Sequence, residues 1–436
     1  MRKKLLSIFL FFIGYALVTA QTENLENLLF ELPDLIFEKV ETTTEVVTVY
    51  HLKIKQPVDH ANPSKGFFYQ KVYLTHRGFD RPTVIITEGY NRDQNRVYEL
   101  TNLLNANQLD VEHRFFGESM PEPVDYQYLN LKQATADLHH IKQLFDKIYT
   151  KKWISTGISK GGATTIFYRY FYPDDVDVSV PYVAPINNAF EDQRIYKFLD
   201  TIGTDVCHKK VRDFQENLLK NREKVLPLLK FYSMGSRSDF NYLTLEQAFE
   251  FTVLEYPFSF WQYGKSCDLI PGESASIEEL TAYLLSVSDI SFFSDQMIED
   301  YGSHYYQSAT EMGYYGYETK DFKGLLKALP TNANPHATFL PNKMKYTFDG
   351  QLLKDVNKWL KTEAHKFIYI YGAIDTWSAT AVRPNKKVDA QWFFMEGKHH
   401  ATARIANMND SEKNRLIQAL EKWLAIDIEN TTLVEN

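Results

Sequence analysis

Short apolar runs rich in β-branched and aromatic residues recur at 46–54, 67–74, 83–87, 109–112, 153–156 and 176–183. The first two alternate apolar with polar positions, which predicts antiparallel strands with one face in solvent. The later four are short and nearly continuous, the pattern of central strands covered on both faces. Helical periodicity separates them at 95–105, 131–149 and 161–171, and the last helix has to stop before Pro173. Strand and helix in alternation predict an α/β fold built on a doubly wound, mostly parallel sheet.

From about Arg194 the pattern changes. As far as Lys345, helical spacing dominates, with Tyr and Phe close together and few strand candidates. Strand patterning returns at 366–371 and 391–395, and a helix at 410–424 precedes a polar tail, 430–436. The expected organisation is a sheet-bearing core in two parts, 21–193 and 346–436, with a helical insertion over 194–345 that would form a cap domain. There is no internal repeat and no low-complexity segment.

Composition adds little beyond class. A chain of 436 residues with 44% hydrophobic and 24% charged residues is an ordinary globular protein. Aromatics at 15% are abundant; a core with an aromatic rim or a Tyr-lined cleft would each account for them. A net charge of −8 argues against nucleic acid as the main partner. The N-terminus is more telling. Arg2, Lys3 and Lys4 precede an apolar run from Leu5 to Val18, and Ala20 is followed by a polar segment. That is the layout of a secretory signal peptide over 1–20, with a membrane anchor as the alternative. The mature chain is therefore expected in a secreted or periplasmic compartment, without stable insertion in a membrane. Two cysteines remain, Cys207 and Cys267, and an oxidising compartment favours a bridge between them over two buried thiols. No metal-ligand spacing is present and no cofactor is expected.

The chemistry starts at Gly157-Ile158-Ser159-Lys160-Gly161-Gly162. A serine between a strand and a helix, flanked by glycines, is the context of a nucleophile elbow. The small residues let strand and helix approach closely, and the Lys160 N–H is turned toward an incipient oxyanion. A serine hydroxyl is a weak nucleophile without a base and an orienting acid. In an α/β-hydrolase fold these follow in the order Ser, Asp or Glu, His, each after a late strand. Asp375 follows the strand at 366–371, and His399-His400 follows the strand at 391–395. Arg404 lies four residues beyond His400, a helical turn's spacing. This suits His400 to a supporting role and makes His399 the expected base. Tyr90, in the Thr87-Glu88-Gly89-Tyr90 turn after the strand at 83–87, is the expected second oxyanion donor, with the Glu88 carboxylate at the mouth of the site. The charged run Glu112 to Ser119 reads as a salt-bridged corner or as a carboxylate that receives a substrate amine. Within the insertion, 307–317 holds aromatics among small residues, the composition of a pocket wall or of cap core.

Taken together, Glu112 to Ser119, the Ser159 elbow, Gly372 to Trp377 and His399-His400 with Arg404 resemble lysosomal prolyl carboxypeptidase and dipeptidyl peptidase II. The match is closer to the related secreted bacterial tripeptidyl aminopeptidases, whose elbow also reads Ser-Lys-Gly-Gly. Lys160 stands where the lysosomal enzymes carry an aromatic residue. The resemblance implies an α/β-hydrolase core with a helical cap and exopeptidase activity on peptides, often after proline. It further implies a Ser159, Asp375 and His399 triad, with Glu88 and Glu112 holding the substrate's free amine. An esterase or lipase using the same triad, and a binding protein on a hydrolase fold, are the rival readings.

Overall fold

The computed structural model describes residues 24–41, 47–272, 274–329, 338–341 and 344–428. The expected signal peptide, its cleavage near Ala20 and the polar tail lie outside them. Among the described residues nine strands run in the sheet order β1-β2-β3-β5-β4-β6-β7-β8-β9. They are β1 (Leu35–Val40), β2 (Thr48–Pro57), β3 (Phe67–His76), β4 (Thr83–Thr87), β5 (Asn107–Val111), β6 (Trp153–Ile158), β7 (Val178–Tyr182), β8 (Ile368–Gly372) and β9 (Gln391–Met395). Two compact units divide the chain, 1–180 with 414–436 and 181–413. The expected cap boundaries, 194 and 345, both fall inside the second unit.

In the first unit, β1, β2 and β3 form an antiparallel ribbon whose far side pairs with β5, also antiparallel. Parallel pairing begins at β5–β4 and continues at β4–β6. The chemistry of the sequence explains the division. On β2, Tyr50, Leu52 and Ile54 are buried while Lys53 is exposed, whereas β4 and β5 are buried at every position. The buried strand faces meet Leu138, Ile141 and Phe145 of the helix Leu131–Phe145, whose Asn130 side chain caps its N-terminus by accepting from Gln133 N. Leu25 and Leu29 from the helical residues 24–31 join the same core. The β1 strand was not expected, and the helical periodicity at 95–105 resolves into a single short helix, Glu99–Leu103.

In the second unit, Tyr182 at the end of β7 pairs in parallel with Ile370 of β8, and β8 pairs in parallel with β9 from Ile368↔Gln391 to Gly372↔Met395. The remainder is largely helical. The helices Asp205–Lys220, Arg222–Ser236, Leu245–Gln262 and Ile277–Val287 bury Phe214, Leu218, Phe251, Tyr256 and Leu284 in one core. Capping boxes at Thr244/Gln247 and Ser276/Glu279 start two of them. Pro257 sits inside the helix Leu245–Gln262 and removes the N–H that the Val253 carbonyl would accept. Gln215 Nε2 donates to that carbonyl at 2.7 Å instead, so the helix continues without a buried unpaired acceptor. Cys207 and Cys267 are bridged across a separation of 60 residues. Closing a loop of that length stabilises by about 4 kcal/mol on the chain-entropy account.

Candidate active site

Ser159 occupies the turn between β6 and the helix Lys160–Phe171 at φ 59°, ψ −124°. A left-handed φ in a non-glycine residue is costly, and here it lifts the serine out of the strand. The glycines make the turn possible. A Cβ on Gly157 would lie 2.4 Å from the Gly161 carbonyl, and one on Gly161 would lie 2.4 Å from the Thr87 carbonyl. The Thr87 hydroxyl locks the crossing by bonding to the Gly161 carbonyl at 2.8 Å and the Thr165 hydroxyl at 2.6 Å. Ser159 is partly exposed, whereas Lys160 is buried.

The 88–90 turn packs against this elbow. Glu88 N donates to the Val111 carbonyl and His113 N to the Tyr90 carbonyl, while Lys160 Nζ donates to the Gly89 carbonyl at 2.6 Å. Glu88 is partly exposed, and one of its carboxylate oxygens receives both Arg92 and the Tyr98 hydroxyl. Arg92 Nε also lies 3.1 Å from Asp110, outside hydrogen-bonding geometry but close enough to pair charges. Asp110 is fully buried. Burial pushes its carboxyl up to about 7, against the pull of Arg92 and Arg96.

Glu112 is engaged within its own corner. One of its oxygens accepts from Ser119 N and Ser119 Oγ, at 2.9 and 2.8 Å, and the other from Arg92 N at 2.7 Å. Both oxygens are thus engaged within the corner, and the side chain is buried. Beside it, Arg114 makes a bidentate pair with Asp137 at 2.7 Å to each oxygen, and donates to the Val58, Tyr128 and Pro57 carbonyls. The charged run 112–119 is a structural corner.

The second unit holds Asp375 and the two histidines. Asp375, in the loop after β8, is fully buried. Its Oδ1 accepts from Trp377 N at 3.1 Å and its Oδ2 accepts from His400 Nδ1 at 2.7 Å. This corrects the sequence-based choice of histidine: His400, not His399, lies on Asp375. The loop geometry gives the reason. The backbone N–H of His400 is tied to the Gln262 carbonyl, and that of His399 to the Thr402 hydroxyl. The two rings have different neighbours. The His399 ring lies against Gly264, where a Cβ would come within 2.4 Å of it, and burial lowers its pKa despite the nearby Asp375 charge. Arg404 does contact His400, through the backbone: its Nη1 donates to the His400 carbonyl at 3.1 Å.

Trp377, on the same loop as Asp375, meets Phe258 and Tyr315, which stack face to face at 3.8 Å. The 307–317 segment therefore contributes to the core of this unit. Tyr315, together with Tyr317, Leu254, Pro257 and Trp261, also lines a cavity of about 390 Å³. Sequence reasoning missed Glu255, which is buried one helical turn from Ser259. It accepts from Ser259, Tyr315 and Tyr317 at 2.8 to 2.9 Å, and burial pushes its carboxyl up to about 7. The available signal was a glutamate, the third in the helix Leu245–Gln262 after Glu246 and Glu250, set among aromatic and aliphatic residues in a helix buried on most faces. Among the described residues no group of three or more His, Cys, Asp or Glu side chains could hold a metal ion, and no helix is long and apolar enough to cross a membrane.

Comparison with known proteins adds a family. The profile described as PS-10 peptidase S37 matches residues 21–432. The prolyl tri/tetrapeptidyl aminopeptidase of Streptomyces mobaraensis is 30% identical over 419 residues, 94% of this chain and 87% of that protein. The serine protease vicPb of Bipolaris victoriae (strain FI3) is 35% identical over 102 residues, 20% of this chain and 19% of that protein. Among solved structures, the proline iminopeptidase of Mycobacterium smegmatis aligns at 11% identity with a TM-score of 0.38, covering 86% of this chain and 97% of that one.

Proposed function

The chain belongs to the PS-10 peptidase S37 family, and from that premise we propose that this serine peptidase uses Ser159, His400 and Asp375 as its triad to release short peptides from free N-termini. The observation that carries the reading is the 2.7 Å bond between His400 Nδ1 and Asp375 Oδ2. With Nδ1–H donated to the carboxylate, the imidazole presents Nε2 as its basic atom.

Nε2 of His400 takes the proton as Ser159 Oγ attacks the scissile carbonyl. The backbone N–H groups of Tyr90 and Lys160 receive the oxyanion. The protonated imidazole then gives its proton to the leaving amine, and an acyl-enzyme remains on Ser159. Water repeats the sequence with His400 again as base, freeing the N-terminal fragment and restoring the serine. Asp375 holds the tautomer and offsets the imidazolium charge.

The size of the fragment follows from the Streptomyces relative, whose name specifies tri- and tetrapeptides and proline. Tripeptides released after proline are the proposed products, and Glu88 is the proposed acceptor of the substrate's free amine. The helical stretch 194–345 is proposed to restrict which peptides reach His400. The basic and apolar N-terminus supports secretion. A matched pair of tripeptide anilides, one with a free and one with an acetylated N-terminus, tests the reading. The free form should be cut far faster. Equal rates would remove the aminopeptidase assignment and the role of Glu88, and hydrolysis of a simple fatty ester in place of both would favour an esterase.

A further inference from the structure

The side chain that follows the nucleophile has a role that no catalytic step above uses. Lys160 is buried, and its Nζ donates to the Gly89 carbonyl at 2.6 Å. The ammonium also faces the rings of Tyr90 and Phe116 at 5.3 and 4.8 Å from their centroids, and those two rings pack edge to face. A buried ammonium gains from both contacts, a charge-assisted hydrogen bond and the negative faces of the rings. Gly89 accommodates it: a Cβ there would lie 2.7 Å from Lys160 Cβ and 2.8 Å from Gly161 N.

The Gly89 carbonyl and the Tyr90 N–H belong to one peptide group. A trans peptide is planar and holds its C=O and N–H on opposite edges, so a donor that fixes the carbonyl also fixes the direction of the N–H. The Tyr90 carbonyl is held in turn by His113 N at 3.1 Å, which pins the turn on both sides of that N–H. We infer that the Lys160 ammonium is a positioning residue for the oxyanion hole, clamping the Gly89–Tyr90 peptide so that the Tyr90 N–H meets the developing oxyanion. One residue thus serves both donors, its backbone N–H directly and its side chain through the neighbouring peptide. A charged donor on the carbonyl also polarises the amide, which makes the opposite N–H a stronger donor. In a buried setting the positive charge acts on the oxyanion with little screening.

The inference rests on Ser159 as nucleophile and Tyr90 as oxyanion donor, and the experiment separates the two. Labelling of wild type with a fluorophosphonate tests the nucleophile first; no labelling would sink that reading and not the clamp specifically. Lys160→Met and Lys160→Gln are then compared with wild type for kcat and KM on a free tripeptide anilide and for affinity toward a tripeptide aldehyde, whose adduct places an oxyanion in the hole. Loss of a single oxyanion donor costs about 10²–10³ in kcat. Lys160→Met should therefore lower kcat by about a hundredfold with KM within about threefold, and aldehyde affinity should fall in parallel with kcat/KM. A folded Lys160→Met with kcat near wild type would overturn the clamp, as would a loss carried by KM with aldehyde affinity unchanged. Should Lys160→Met fail to fold, Lys160→Gln decides on the same two quantities: parallel loss supports the clamp, and unchanged aldehyde affinity overturns it.

Discussion

His400 donates to Asp375 across 2.7 Å, while His399, its neighbour in sequence, turns its ring onto Gly264. The two imidazoles therefore have separate fates. Replacing His400 with Ala removes the proposed base and should lower kcat by at least about 10⁴-fold, the scale on which triad members act together. Replacing His399 with Ala should leave kcat within about threefold. Steady-state rates on one peptide anilide check both; the opposite ranking would return the base to His399.

How the sequence pointed to this pair, and where it stopped, is visible in the same loop. Asp375 and the histidines each follow a returning strand, so the order Ser, Asp, His was legible from strand patterning alone. Which histidine reaches Asp375 depends on backbone anchors at Gln262 and Thr402, one of them more than 130 residues away in sequence, and no local spacing encodes that. His400 and Arg404 do meet, but across a turn and not along a helix, and through a bond to the His400 backbone carbonyl that says nothing of the direction of the ring. The elbow was legible because glycines are needed where backbones touch. Glu112 was ambiguous because a buried corner and an amine-binding carboxylate use the same residue types. The central strands β4 and β6 were readable as short runs rich in apolar and β-branched residues, whereas β1, Leu-Ile-Phe-Glu-Lys-Val, has no alternation of apolar and polar positions and no fully buried residue to mark it.

The corner of the first unit makes a stability prediction. Arg114 and Asp137 are both fully buried, and His60 Nε2 also bonds Asp137, at 2.7 Å. Asp137→Asn leaves the guanidinium buried without its counter-charge, which costs about 3–5 kcal/mol. Urea unfolding should show a midpoint lowered accordingly, and a loss below about 1 kcal/mol would contradict the pairing.

Glu255 predicts a dependence on pH. Its carboxyl is pushed up to about 7 from an ordinary value of 4.5, chiefly by burial. Between those two values the unfolded chain releases the proton and the folded chain keeps it. The folded state then binds more protons, so this group's contribution to stability falls as pH rises through that window. Glu255→Gln cannot ionise and should flatten part of the decline, Asp110 contributing a further part in the same direction. Thermal midpoints of wild type and variant between pH 4.5 and 8 check this; parallel curves would contradict it.

Ser159 as the nucleophile is the centre of the account, and a covalent probe reads it directly. The protein is treated with a fluorophosphonate, digested, and the adduct is located by mass spectrometry. One adduct is expected, on the peptide containing Ser159, and none in Ser159→Ala. An adduct on another residue, or labelling that persists in Ser159→Ala, would contradict it.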